Sequence, residues 1–113
     1  LPDPALIGNA GSFFKNPVVD CNALSGLLKL NPDLPYYPQG GEHYKLAAGW
    51  LIERCGWKGR HVGKAAVHHK QALVLVNLGG ATGREILELS EQVSGAVQER
   101  FGIELAREVL VVP

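Results

Sequence analysis

The sequence predicts an α+β fold: a two-layer sandwich of mostly antiparallel sheet with its helices on one side. Three observations carry that expectation. Two short apolar runs, 65–68 and 73–77, lie close enough to pair as a hairpin through His69-Lys70-Gln71-Ala72. Residues 83–101 keep a helical apolar period over their whole length. The element order, roughly β-α-α-β-β-α-β, lacks the strict strand–helix alternation that a parallel sheet requires.

Each element has a local reason. Pro2 and Pro4 deny helix to residues 1–8, which read as an extended lead-in. Residues 11–19 read as a strand, with Pro17 marking an edge or a bulge. Asp20 or Asn22 can cap a helix over 21–30 whose apolar face is Leu24, Leu27 and Leu28, and Asn31-Pro32 ends it. Residues 32–43, rich in proline, glycine and tyrosine, read as an irregular loop of the kind that often carries function. A second helix is expected over 46–55, with Ala47, Ala48, Leu51, Ile52 and Cys55 at helical spacing and Gly56 at its left-handed end. Trp57 to Gly63 reads as a polar connection. Thr82-Gly83-Arg84-Glu85 is a capping box opening the long helix, whose core face is Ile86, Leu89, Val93, Val97 and Phe101 and whose stop is Gly102. Residues 103–112 read as the last strand.

Composition narrows the function classes. A chain of 113 residues suits one domain with one core. Eleven basic residues balance eleven acidic ones, so no basic field exists to drive nucleic-acid or membrane binding. Cys21 and Cys55 lack metal spacing and read as reduced thiols of a cytoplasmic protein. No apolar run reaches the roughly 18 residues that a membrane span needs. Leu1-Pro2-Asp3-Pro4 has the look of a linker, which favours a chain cut at a domain boundary.

Few residues carry chemistry on their own account. Ser12 follows a glycine-broken turn; it serves either as a turn serine or as a functional hydroxyl, with Lys15 and Asn16 close by. Glu108 sits in an otherwise apolar strand, where a carboxylate needs a partner; a structural ion pair and a functional acid both fit. His68 and His69, adjacent on a strand, point to opposite faces and do not make a metal site. His43 and His61 read as isolated loop residues. Lys58 in its loop can meet a phosphate or stay solvated, and Tyr36 and Tyr37 can contact a ligand or pin their loop. The glycines at 79, 80 and 83 are not a phosphate loop, since Gly-Lys-Ser/Thr is missing.

Ordered along the chain stand Leu-Pro-Asp-Pro, Gly-Asn-Ala-Gly-Ser-Phe-Phe-Lys-Asn-Pro-Val-Val from Gly8, and Tyr-Pro-Gln from Tyr37. Lys-Leu-Ala-Ala-Gly-Trp-Leu-Ile-Glu from Lys45, Gly-Trp-Lys-Gly from Gly56, Ala-Ala-Val-His-His-Lys-Gln-Ala-Leu-Val-Leu-Val-Asn from Ala65 and Glu-Val at 108 follow. Together they resemble the C-terminal domain of the UDP-N-acetylenolpyruvoylglucosamine reductase family. The resemblance implies a flavoenzyme of bacterial cell-wall synthesis. FAD reduced by NADPH delivers hydride to UDP-N-acetylglucosamine enolpyruvate, giving UDP-N-acetylmuramate. It implies that Ser12 protonates the adjacent carbon and that Glu108 stands beside the substrate carboxylate and enolate. Such an enolate needs charge stabilisation and one well-placed proton donor.

For substrate binding the resemblance implies Tyr37 and Lys58 on the diphosphate, and Asn16 and Gln71 on the sugar and uridine. Ala106-Arg107 stands where the family has Glu-Pro before its glutamate. The resemblance also implies a division of labour. Residues 1–8 would be a linker from an N-terminal flavin-binding region, and 9–113 the substrate-binding domain. FAD, NADPH and metal would have no site on this chain, which alone would be an inactive monomer. Its partners would be the substrate and the enzyme's own flavin domains, with no nucleic acid or membrane. The alternative is a stand-alone, non-catalytic binding module on the same scaffold.

Overall fold

A proline shapes the first segment. The computed structural model describes residues 13–68, 75–77 and 79–107. In it Phe14 forms an isolated antiparallel bridge with Arg107, and a regular strand, β1 (Val18–Asp20), begins only beyond Pro17. The single strand expected over 11–19 is thus interrupted. Pro17 has no N–H to give a ladder, and its carbonyl instead accepts from the Leu46 amide at 2.8 Å. The expected lead-in at 1–8 lies outside the described residues.

Asp20 ends β1 and starts α1 (Cys21–Leu30), its Oδ1 accepting from the Ala23 amide at 2.8 Å. Leu24 is buried and Leu27 and Leu28 are half-buried, as their spacing predicts. Asn31 closes the helix by donating from its backbone and its side-chain amide to the Leu27 carbonyl.

The region expected to be an irregular loop is a hairpin instead. Strands β2 (Tyr36–Gly40) and β3 (His43–Leu46) pair antiparallel, with a register shift between Pro38 and Gly40. Pro38 is tolerated because β2 is an edge, the strand order being β1-β3-β2. Gly40, Gly41 and Glu42 all take positive φ to make the turn. The helix expected over 46–55 is correspondingly shorter, α2 (Ala48–Arg54), and Gly56 follows it in the left-handed region.

A second antiparallel sheet, β4 (His61–Val62), β5 (Ala65–Val67) and β6 (Leu75–Asn77), comes after α2. His43 and His61, expected in loops, therefore open β3 and β4. The tip joining β5 to β6 lies outside the described residues. The α+β class holds, but the strands fall into two three-stranded sheets. Helix α1 packs on β1 and β3, while α3 (Gly83–Phe101) packs on β4, β5 and α2. Ile86, Leu89, Val93 and Val97 of α3 are buried, and Phe101 is half-buried. Gly102 stops the helix at φ 69°. Of the last expected strand, the described part shows only the bridge at Arg107.

The capping box at the start of α3 reaches further than a helix cap. Glu85 accepts from the Thr82 amide and also from the Lys64 amide, both at 3.0 Å. It thereby ties the turn between β4 and β5 to the helix. Gly63 in that turn has φ +59°, and a side chain there would collide with the Glu85 carboxylate. Hydrogen bonds from Thr82 and then Lys64 hold the Glu85 carboxyl below the usual carboxylate range. A lowered native pKa stabilises above the unfolded value, about 4.3, and that stability is lost as pH falls through the native value. The Tm gap between the wild type and Glu85→Gln is therefore expected to be constant near neutrality and to close in acid. A gap that persists unchanged to about pH 2 would contradict the linkage.

Candidate functional site

Three of the residues singled out in the sequence lie in the described structure. Asn16 is exposed, and its Oδ1 accepts from the Ala48 amide at 3.0 Å, across the start of α2. That helix has no side-chain cap of its own at Ala47. Asn16 therefore supplies the missing acceptor from a distant segment, and its Nδ2 end remains to face a ligand.

Tyr37 stands on β2, 53 % exposed. Its opposite number across the ladder is Lys45 on β3, which is itself opposite Val18 on β1. Directly opposed residues share a face, so Tyr37, Lys45 and Val18 form one row across the first sheet. The next row on this face holds His43 and Asp20, both exposed. The other face carries buried Leu46, with half-buried Tyr44 and Val19, and turns toward the core.

Lys58 lies in the turn after α2, between buried Trp57 and Gly59, whose φ is 80°. The turn is held by the Gly59 amide donating to the Val67 carbonyl and the Val67 amide donating to the Arg60 carbonyl. The Arg60 guanidinium lies 4.5 Å from the Trp57 ring centroid. The Lys58 ammonium is 3.5 Å from Glu53, with the two side chains 33 % and 55 % exposed. So open a pair contributes about 1 kcal/mol at most, and an incoming anion can displace it.

Ser12, Gln71 and Glu108 lie outside the described residues. Their chain neighbours carry information all the same. The Phe14–Arg107 bridge sets the chain that follows Ser12 beside the chain that precedes Glu108. The Lys15 amide donates to the Ala106 carbonyl at 2.8 Å. This bond flanks the Phe14–Arg107 pair, which is therefore of the non-hydrogen-bonded kind. The ladder does not call on the N–H of residue 107, so arginine or proline fits there equally. Phe13 and Phe14, both buried and edge-to-face at 5.2 Å, anchor this segment in the core.

A hollow of about 540 Å³ opens between β1, α1 and the chain after α3. Leu27, Leu30, Phe101 and Ile103 line it, with Glu104 as its one charged residue. An apolar hollow bearing a carboxylate does not suit a phosphate, and none of Asn16, Tyr37 or Lys58 borders it. Among the described residues no cluster of three metal-ligating side chains occurs. Cys21 and Cys55 are free thiols; burial pushes the Cys55 thiol up, with the Arg100 guanidinium opposing. No described helix is long and apolar enough to cross a membrane.

The profile of the UDP-N-acetylenolpyruvoylglucosamine reductase C-terminal domain matches residues 3–112. The chain belongs to this family. The UDP-N-acetylenolpyruvoylglucosamine reductase of Bordetella pertussis is 58 % identical over 113 residues, covering 100 % of this chain and 32 % of the relative. Proteins of the same name from Burkholderia mallei and Burkholderia pseudomallei are each 59 % identical over 108 residues, 96 % of this chain and 31 % of theirs. The chain thus spans about a third of the length of these curated relatives. For a reductase C-terminal domain, Lys45 is the residue that sequence reasoning passed over. Its signal was the alternation His43-Tyr44-Lys45-Leu46, masked by the helical spacing that starts at Leu46.

Proposed function

We propose that this domain binds the UDP-sugar substrate of a flavin-dependent reductase and supplies the proton donor for reduction of its enolpyruvyl group. The substrate is UDP-N-acetylglucosamine enolpyruvate and the product UDP-N-acetylmuramate, a cytoplasmic step of peptidoglycan synthesis. The Phe14–Arg107 bridge carries the reading, because it joins the two segments that adjoin the proton donor Ser12 and the acid Glu108. Neighbouring Asn16 presents its Nδ2 to the sugar or uridine, with Gln71. Tyr37 and Lys58 face the diphosphate with a phenol and an ammonium that sit on an exposed strand and a rigid turn.

The described polar face is open, and its donors suit phosphate and carbonyl oxygens rather than a flat isoalloxazine. No step is therefore derived through flavin on this chain. In the whole reductase, flavin held by the part that this chain does not span would supply the hydride, with NADPH as its source. Within the domain, Ser12 holds a proton toward the carbon next to the carboxylate and Glu108 orients the carboxylate end. A serine hydroxyl is a weak acid, so it must be close and fixed. The anchoring of Phe13 and Phe14 provides that rigidity.

Titration of the isotope-labelled chain with UDP-N-acetylglucosamine tests this. Amide signals of Asn16, Tyr37 and Lys58 are expected to shift together. Stoichiometric FAD on the purified chain, or no response at these residues at saturating UDP-sugar, would overturn the proposal.

A further inference from the structure

We infer that Lys45 is a further diphosphate ligand, acting with Tyr37 as a two-point clamp. The inference rests on the UDP-sugar reading above and adds a residue to it. Lys45 is on the middle strand of β1-β3-β2, directly opposite both Val18 and Tyr37. Cross-strand partners on one face have Cβ atoms roughly 4.5–5.5 Å apart. A lysine ammonium and a tyrosine hydroxyl rooted that close can both reach the oxygens of one diphosphate.

Three observations favour a ligand over a structural role. Strands are poor in lysine, and when it occurs it usually guards an exposed edge; Lys45 is central. Among the described residues the one ion pair is Lys58–Glu53, so no described carboxylate neutralises Lys45. The acid on the same face, Asp20, stands opposite His43 and commits its Oδ1 to the Ala23 amide at the start of α1.

The surroundings bring the rest of the substrate to the same place. The Leu46 amide donates to Pro17 and the Ala48 amide to Asn16, which lays the Asn16 segment along residues 46–48. Asn16, Lys45 and Tyr37 thus border one exposed patch. Half-buried Lys45 forms its floor, while Tyr37 on the edge strand forms a wall. A UDP-sugar lying across the sheet would place its phosphates over the middle strand.

The test compares uridine, UDP and UDP-N-acetylglucosamine binding to the 113-residue chain and to its Lys45→Gln and Lys45→Arg variants, each checked by melting. Charged hydrogen bonds of this kind correspond to roughly tenfold in affinity or more. Lys45→Gln is expected to weaken UDP and UDP-sugar about tenfold, to leave uridine unchanged and to flatten the salt dependence of UDP binding. Lys45→Arg is expected to restore most of the affinity. Equal UDP affinity in wild type and Lys45→Gln overturns this inference and leaves the UDP-sugar reading standing. Equal losses for uridine and UDP, or a lower melting temperature in both variants with weak binding of every ligand, mark Lys45 as structural and also overturn it. Failure of the wild type to bind any UDP ligand overturns both.

Discussion

Replacing Ser12 by alanine in the intact reductase is expected to abolish reduction of the enolpyruvyl substrate while flavin reduction by NADPH proceeds at the wild-type rate. A positioned proton donor contributes about 10²- to 10⁴-fold, so turnover should fall by that factor. Stopped-flow measurement separates the two half-reactions. The first bleaches the flavin with NADPH alone; the second restores its colour when substrate is added. Only the second should slow in Ser12→Ala, and substrate affinity should change little, since the hydroxyl is needed when the new C–H bond forms. Wild-type turnover in this variant would remove Ser12 from the mechanism. Slowing of both half-reactions would instead indicate a disturbed flavin environment.

The second large effect concerns stability. Phe14→Ala is expected to destabilise the domain by about 3–5 kcal/mol, the range for truncating a buried phenylalanine. For a chain of this size that lowers Tm by roughly 12–20 °C. Phe14 is buried, packs edge-to-face on Phe13 and shares its backbone position with the bridge to Arg107. Its loss leaves a cavity and loosens the segment on which Ser12 and Asn16 are carried. Binding of UDP-N-acetylglucosamine should therefore weaken in Phe14→Ala even well below its Tm. Calorimetry on the purified chain checks both effects. A drop of only a few degrees would mean that the site segment is anchored elsewhere.

The parts of this fold that could be read from sequence are those whose signals are local. Asp20, Thr82, Glu85, Gly56 and Gly102 mark helix ends through hydrogen bonds and φ values that a few consecutive residues determine. Each has that role in the structure. The β2–β3 hairpin was hidden because its evidence is non-local. Tyr36 to Gly40 looks unfit for a strand until Pro38 is known to lie at an edge, and only pairing with β3 shows that. The same holds for the site. The motif resemblance points to Asn16, Tyr37 and Lys58 one at a time. That Lys45 faces Tyr37 is a fact of register, fixed by which residues meet across a ladder. The hydrogen bond from Ala48 to Asn16 spans 32 residues and has no sequence signature.

The same edge strand has a consequence for how the domain behaves in a crowded solution. A strand that keeps Tyr36 and Tyr37 exposed beside an unpaired backbone is a template for sticking to its own copies. Pro38 takes one donor away from that backbone, and the register shift before Gly40 throws the remaining groups out of step. An incoming strand would find only short, mismatched stretches to grip. The aromatic rim can thus stay open to a small ligand without inviting self-association, and Pro38 serves solubility as much as shape.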